Sequence, residues 1–156
     1  GMRVPFIVRW PDHVPAGRVD ETTVIAAVDL FPTLCAIATA KVPEGYTSDG
    51  EDLSPALLGK EVARRKPLFW EYGRNSTAFK FPAGPEHRSP NVAVRDGKWK
   101  LLVNADGTHA ELYDILTDPP ETRNLADAEP EIAKRMKRAA LEWRVSLPEL
   151  AAKSGK

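Results

Sequence analysis

Few side chains of this 156-residue chain have the type and spacing that catalysis requires. The single cysteine, Cys35, could act as a nucleophile, but it lies within the apolar run Leu34-Cys35-Ala36-Ile37. A thiol in apolar surroundings is typical of a buried structural residue, because burial disfavours the reactive thiolate. One cysteine also excludes an intrachain disulfide and any metal site built from a cysteine cluster.

The three histidines are the next candidates, as metal ligands or acid–base groups. His13, His87 and His109 are far apart, and none has the His-x-x-x-His or Cys/His spacing of a zinc site. His109 falls on the outward face of a predicted strand, where exposure is the simplest interpretation. His87 lies in a long loop, within Glu86-His87-Arg88, and is the better functional candidate because binding residues are often carried by loops.

Other local signatures of catalysis are missing from the sequence. Asp12, Asp20 and Asp29 are spaced too irregularly for a metal-binding loop. There is no glycine-rich phosphate loop and no G-x-S-x-G nucleophile elbow. The residues by themselves therefore indicate a scaffold without a self-sufficient active site.

Composition narrows the class of protein. The 22 basic and 22 acidic residues cancel, so there is no global electrostatic reason to bind nucleic acid or an anionic membrane. No apolar run approaches the roughly 18 residues that a membrane-spanning helix needs. Residues 1–9 lack the basic segment and apolar core of a signal peptide, so the sequence predicts none and leaves the localisation open.

The first part of the chain predicts a strand and a helix. Residues 4–10 are almost continuously apolar, which predicts a strand buried on both faces that needs covering neighbours. Asp29 is a good N-cap for a helix over residues 30–38, with Pro32 in its first turn. The basic run Arg64-Arg65-Lys66 is interpreted as a solvated link.

The second part predicts an antiparallel meander of three to four strands. Residues 68–72 form a strand candidate, and residues 110–113 form another after the central hairpin. Asp96-Gly97 indicates a two-residue turn that sets Val94 opposite Trp99. One face of the hairpin then carries Val92, Val94, Trp99, Leu101 and Val103.

A long helix over Pro130–Ser146 completes the pattern. It should cover one face of the meander, since so few strands cannot bury an apolar face alone. Its apolar stripe consists of Ile132, Met136, Ala139, Ala140, Trp143 and Leu147. Lys134, Arg135, Lys137 and Arg138 lie off that stripe.

Five segments together resemble the C-terminal part of type I sulfatases, the formylglycine-dependent enzymes of the alkaline-phosphatase-like superfamily. They follow the order and spacing of that family across nearly all of residues 1–147. The segments are residues 1–11, which contain Arg3-Val4-Pro5, and residues 28–34, 49–59, 93–101 and 111–126.

The resemblance implies an α+β fold in two parts. Residues 1–62 would be the end of the large α/β domain, a strand–helix remnant with its connection. Residues 63–156 would be the small antiparallel-sheet subdomain, packed by the C-terminal helix. A phosphatase-type relative of the same superfamily is a further alternative, but the five segments favour a sulfatase.

The resemblance also implies chemistry that this chain does not carry. In intact members a formylglycine made from a Cys-x-Pro/Ala-x-Arg cysteine attacks the sulfate on a divalent metal, usually Ca²⁺. Cys35 is followed by Ala36-Ile37-Ala38-Thr39, which does not match. The metal ligands and catalytic lysines and histidine of the family lie upstream of the matched segments, so we assign no catalytic and no metal-binding residue here.

The loop over residues 73–90 is where the resemblance implies contact with a sulfated glycan or small sulfate ester. Arg74, Asn75, His87 and Arg88 are the substrate-binding candidates, because each can donate to anionic or hydroxyl oxygens. An ordinary exposed loop is the alternative interpretation for each of them.

Two hypotheses follow. In the first, the chain is the C-terminal fragment of a sulfatase and is inactive alone. In the second, it is a stand-alone, non-catalytic binding or assembly module of the same architecture. The second predicts self-association through the apolar strand of residues 4–10 and the helix of residues 30–38.

Overall fold

The computed structural model describes residues 4–73 and 88–148. The chain divides into two compact units, Gly1–Lys66 and Pro67–Lys156. The first unit contains helices α1 (Ala27–Ile37) and α2 (Ser54–Leu57). The second contains strands β1 (Leu68–Glu71), β2 (Val92–Asp96), β3 (Trp99–Val103) and β4 (Glu111–Asp114), and helix α3 (Pro130–Ser146).

The second unit is the predicted meander. Its four strands pair in chain order, β1-β2-β3-β4, and every pair is antiparallel. Helix α3 has the predicted bounds and begins with Pro130, which is favoured in a first turn because no hydrogen bond is lost there. The predicted fold class, a small antiparallel sheet packed by a C-terminal helix, is confirmed.

The register of the central hairpin differs from the prediction. Asp96 lies opposite Trp99 and Val94 lies opposite Leu101, so the turn residues are Gly97 and Lys98. Gly97 has φ +57°, as the first central residue of a type II′ turn requires. A turn centred on Asp96-Gly97 would be of type I′ and would also force Asp96 to a positive φ.

The predicted inward face is still correct. Moving the turn by one residue shifts the pairing by two, and side chains two residues apart in a strand lie on the same face. Val92, Leu101, Val103 and Leu112 are completely buried against α3. Helix α3 contributes Met136 and Ala140, as predicted, and also Ala133. Trp99 lies at the margin of this core and is half-buried.

The helix of the first unit starts earlier than predicted. It begins at Ala27, so Asp29 is its third residue and not its N-cap, and its carboxylate accepts the N–H of Ala26 at 2.8 Å. Pro32 is the sixth residue and removes one intrahelical hydrogen bond, to the carbonyl of Val28. The backbone of Gly50 lies against that carbonyl, so closely that a β-carbon there would be 2.1 Å from the oxygen.

The strand predicted over residues 4–10 is not formed. These residues have no regular secondary structure, and Ile7 is 89% exposed and Val4 76%. The apolar pattern indicates a need for cover, whereas a strand also needs a neighbouring edge to hydrogen-bond with. The apolar pattern therefore predicted a strand, but no strand among the described residues of the first unit pairs with residues 4–10.

Candidate functional site

An open cleft of about 400 Å³ lies at one end of the sheet in the second unit. It is bordered by the segment just before β2, the turn between β3 and β4, and the start of β4. Its volume is at the lower end of the range for small-molecule sites, about 300–1,000 Å³. The lining residues are Arg88, Ser89, Pro90, Asn91, Asn104, His109 and Glu111.

The turn between β3 and β4 is held by backbone and side-chain hydrogen bonds among its own residues. The N–H of Gly107 donates to the carbonyl of Asn104 at 2.8 Å. Asp106 accepts hydrogen bonds from the hydroxyl and the N–H of Thr108, at 2.7 and 2.9 Å. These bonds hold the pKa of Asp106 below its ordinary value, and the bond from the Thr108 hydroxyl has the largest effect. The turn therefore presents its flanking residues in a defined geometry.

His109 follows this turn with a backbone that non-glycine residues adopt infrequently, at φ +53°. Its ring Nδ1 is 3.1 Å from the Nδ2 of Asn104 and 3.1 Å from the hydroxyl of Thr108. The Nδ2 of Asn104 also donates to the same hydroxyl at 2.9 Å. The imidazole is thus exposed but oriented at the cleft.

Asn91 attaches the turn to the rest of the sheet. Its side-chain oxygen accepts the N–H of Ala105 at 3.0 Å, and its carbonyl accepts the N–H of Tyr72 at 2.7 Å. One residue at the start of β2 therefore joins the segment after β1 to the β3–β4 turn. Asn91 thereby fixes this part of the cleft lining.

Glu111 contributes a carboxylate to the cleft. The hydroxyl of Tyr113 donates to its Oε2 at 3.0 Å. Partial burial and this hydrogen bond raise the pKa of Tyr113 to about 12, so its phenol stays protonated as a donor. The cleft combines a guanidinium, a carboxylate, two amides, a hydroxyl and an imidazole, which suits binding of a polar molecule with both donors and acceptors.

The structure brings together one predicted site residue and several that the sequence did not indicate. Arg88 lines the cleft, whereas Arg74, Asn75 and His87 lie outside the described residues. His109 is exposed, as interpreted, but it is also a cleft residue. The sequence did not indicate Asn91, Asn104 and Glu111 as site residues, since only the sheet register places them together.

A second polar cluster, in the first unit, is structural. Asp29 is completely buried and pairs with Arg64, whose side chain is only 8% exposed. The same carboxylate accepts the N–H of Glu51 at 3.0 Å. Lys66 donates to the carbonyl of Gly50 at 2.9 Å. The interpretation of the basic run as a solvated link is therefore wrong for Arg64, which anchors the segment that follows α2, whereas Arg65 and Lys66 are exposed.

Neither Cys35 nor any described cluster fits the formylglycine and calcium implied by the resemblance. Cys35 lies inside α1 and is half-buried, not fully buried as its apolar neighbours indicated. Across residues 4–73 and 88–148, no three His, Cys, Asp or Glu side chains come together as metal ligands. In the same residues no helix is long and apolar enough to span a membrane.

Comparison with known proteins decides the family. Residues 1–146 match the family model described as N-sulphoglucosamine sulphohydrolase, C-terminal. The chain belongs to this C-terminal sulfatase family. This chain is 33% identical over 166 residues to human arylsulfatase A, covering 90% of this chain and 30% of that enzyme. It is 28% identical over 136 residues to an N-acetylgalactosamine-6-O-sulfatase of Bacteroides thetaiotaomicron, covering 87% and 26% of the two chains.

The fold comparison agrees with the sequence match. The crystal structure of Ps i-CgsB in complex with k-i-k-neocarrahexaose matches with a TM-score of 0.64 at 28% identity, covering 86% of this chain and 27% of that one. This chain thus spans less than a third of the length of these relatives. The predicted resemblance to the C-terminal part of sulfatases is confirmed.

Proposed function

We propose that this chain serves as the C-terminal part of a sulfatase, a sulfuric ester hydrolase that acts on sulfated glycans or aryl sulfates. The match of residues 1–146 to a C-terminal sulfatase family carries this proposal. In this assignment residues 1–62 are the end of the large α/β domain and residues 63–156 are the small subdomain. The names of the relatives support the substrate class, since one is an arylsulfatase and another an N-acetylgalactosamine-6-O-sulfatase.

The chain's own contribution is scaffold and cleft lining. Arg88 supports this role because it borders the cleft together with the β3–β4 turn. Arg74, Asn75 and His87 are proposed as further contacts from the same connecting loop. In the parent enzyme the formylglycine and the Ca²⁺ site come from sequence upstream of the matched part.

Hydrolysis of an aryl sulfate such as 4-nitrocatechol sulfate, with Ca²⁺ present, tests the absence of a catalytic site in this chain. We expect the 156-residue protein to show no turnover above buffer, because the context of Cys35 does not allow formylglycine formation. Turnover that survives Cys35→Ala would contradict the proposal by revealing a different site.

The DNA that precedes the Met2 codon tests the assignment to a parent sulfatase. An in-frame region that encodes Cys-x-Pro/Ser/Ala-x-Arg supports it. A stop codon would contradict it and favour the second candidate function, a stand-alone binding or assembly module.

Exposed apolar side chains in the first unit favour that second candidate. Phe6, Ile7 and Leu34 are each more than half exposed, although burying them would be favourable. A stand-alone module would bury them by self-association. Sedimentation velocity separates the two functions: a concentration-independent monomer contradicts the assembly module, whereas a dimer that Leu34→Ser weakens supports it.

A further inference from the structure

We propose that residues 118–126 form a strap that closes the outer edge of β4, and that Asn124 keeps this edge from pairing with a second copy of the chain. The strap is part of the connection between β4 and α3. It lies wholly within the second unit, so it acts in the same way whether the chain belongs to a parent sulfatase or stands alone.

Strand β4 is the last strand in the sheet order, so one of its edges faces away from β3. The N–H of Ile115 donates to the carbonyl of Lys98, and hydrogen-bonded pairs recur at every second residue of an antiparallel ladder. The backbone N–H and carbonyl groups of Leu112 and Asp114 therefore point away from β3. An edge of this kind is a template on which another strand can pair.

The strap binds three of these outward backbone groups. The Oδ1 of Asn124 accepts the N–H of Leu112 at 3.0 Å, and the N–H of Leu125 donates to the carbonyl of Leu112 at 2.7 Å. The N–H of Asp118 donates to the carbonyl of Asp114 at 2.8 Å. Asn124 and Leu125 thus supply the acceptor and the donor that a neighbouring strand would offer to Leu112.

Asp118 fixes the first half of the strap. Its carboxylate accepts the N–H groups of Thr122 and Arg123, each at 2.8 Å, and the hydroxyl of Thr122 at 3.1 Å. These bonds lower the pKa of Asp118, and the N–H of Arg123 has the largest effect. The carboxylate therefore stays ionised at neutral pH and keeps these residues folded back on the end of β4.

Glu121 makes the closed strap dependent on its contacts. Its φ of +59° costs free energy for a residue with a β-carbon, and such a conformation persists only where its surroundings impose it. Lys100 of β3 donates to both carboxylate oxygens of Glu121, at 2.6 and 2.7 Å. The N–H of Glu121 donates to the carbonyl of Asp118 at 3.0 Å. Because specific contacts hold a strained backbone, loss of one contact favours opening of the strap.

The uncovered edge of β4 fits the same edge of a second copy. Two β4 strands related by a twofold axis run antiparallel and bring identical edges together. In a register centred on Leu112, the two copies of this residue exchange both hydrogen bonds, and Glu111 of one copy lies opposite Tyr113 of the other. Within β4 no two carboxylates are then directly opposite. The phenol of Tyr113 is a donor that Glu111 already accepts within one copy, so this cross-strand pair is favourable.

Asn124→Ala in the ¹⁵N-labelled 156-residue chain tests the strap. The substitution removes the acceptor of the Leu112 N–H, so hydrogen exchange at the amides of Leu112 and Leu125 should accelerate about tenfold, the effect of one lost hydrogen bond. As the protein concentration rises, the variant should show amide shifts at residues 110–114 that the wild-type chain does not show. Unaccelerated exchange, or the absence of these shifts in the folded variant, would overturn the proposal.

Two substitutions serve as controls for Asn124→Ala. Asn124→Asp keeps an oxygen that can accept the N–H groups of Leu112 and Ala126, so it should behave as the wild-type chain does. Arg135→Ala removes an exposed ion pair with Asp96 in the same unit and should change neither measurement. Concentration-dependent shifts at residues 110–114 in either control would contradict the role assigned to Asn124.

Asp118→Ala opens the strap from its other end and replaces Asn124→Ala if that variant does not fold. It frees the N–H groups of Thr122 and Arg123 and leaves the acceptor of the Leu112 N–H in place. The same shifts at residues 110–114 should then appear, at higher protein concentration. Shifts confined to residues 28–34 would place the association on α1 and overturn pairing through β4. A folded Asp118→Ala variant without any concentration-dependent shift would also overturn it.

Discussion

The two compact units bury different kinds of side chain. In Pro67–Lys156 the buried set is mainly apolar, with Val92, Leu101 and Leu112 completely inaccessible to solvent. Among the described residues of Gly1–Lys66, the completely buried side chains are Asp29 and Thr33, and Leu53 is nearly so. The second unit is therefore stabilised chiefly by apolar burial, and the first depends strongly on a polar network.

Helix α1 shows how that network works. Asp29 and Thr33 are one turn apart on the same face, and both bind the backbone of the segment after residue 50. Thr33 accepts the N–H of Leu53 at 2.9 Å. A buried ion pair such as Asp29–Arg64 contributes little net stability, but removal of one partner is costly. We therefore expect the first unit to lose most stability when a buried polar side chain is removed, and the second when a buried apolar side chain is truncated.

The largest effect is expected for Asp29→Ala. It removes the buried carboxylate that pairs with the guanidinium of Arg64 and leaves Glu51, 3.8 Å away, as the remaining acidic partner, which costs about 3–5 kcal/mol. Hydrogen exchange at the amides of Ala26 and Glu51, which both donate to this carboxylate, should accelerate. Arg18→Ala, which removes one partner of a more exposed ion pair with Asp20, is the control and should cost much less. Equal effects of the two substitutions would contradict the importance of the buried network.

Leu112→Ala tests the apolar unit. The side chain is completely buried in the sheet core, so its truncation should lower the free energy of unfolding by about 2–5 kcal/mol. Leu34→Ala, at a position 56% exposed in α1, should change it by less than about 0.5 kcal/mol. Urea unfolding followed by the NMR amide signals of each unit measures both changes in free energy. A larger loss of stability for Leu34→Ala than for Leu112→Ala would contradict the prediction.

Gly50→Ala tests the close backbone approach in the first unit. The added β-carbon would meet the carbonyl oxygen of Val28 at 2.1 Å, and relief of that clash should cost about 1–3 kcal/mol. Gly45→Ala is the matched control, because its β-carbon meets nothing within 4 Å and only its positive φ is unfavourable. Comparable destabilisation by both substitutions in the same urea experiment would show that the contact with Val28 is unimportant.

The smallest effect concerns an ion pair at the edge of the sheet, between Lys98 and Asp114 at 2.7 Å. The hydrogen bond from Lys98 lowers the pKa of Asp114 below 3.8, so the pair stabilises the folded state above that pH. This contribution is lost as the pH falls through the lowered pKa. Lys98→Met should therefore destabilise the second unit slightly at pH 7, with a difference from wild type that shrinks below pH 4. A difference that is constant from pH 7 to pH 2 in acid titrations would contradict the pairing.

The elements of the second unit were largely predictable from local patterns. Pro130 and the apolar spacing of residues 130–146 determine α3 because both signals lie within the helix itself. The inward face of the hairpin was also correct, since the alternation of side chains survives a shift of two in register. The register itself was missed because both Asp96-Gly97 and Gly97-Lys98 are acceptable two-residue turns.

The first unit was predicted less well, for a physical reason. The apolar residues 4–10 and the acidic Asp29 each had a plausible local interpretation, as a strand and an N-cap. Asp29 instead meets Arg64, a residue 35 positions away. No local pattern encodes a contact at that separation, and a basic run looks the same whether it is solvated or buried.

The sequence by itself indicated the resemblance to the C-terminal part of sulfatases, an antiparallel meander of three to four strands and the helix that covers it, because consecutive residues and their spacing carry those features. Only the tertiary structure decided which side chains share a site. Arg88, Asn104, His109 and Glu111 come from three separate stretches of chain, and the antiparallel register brings them to one end of the sheet. Residues distant in sequence become neighbours only through long-range pairing, which no single stretch of sequence specifies.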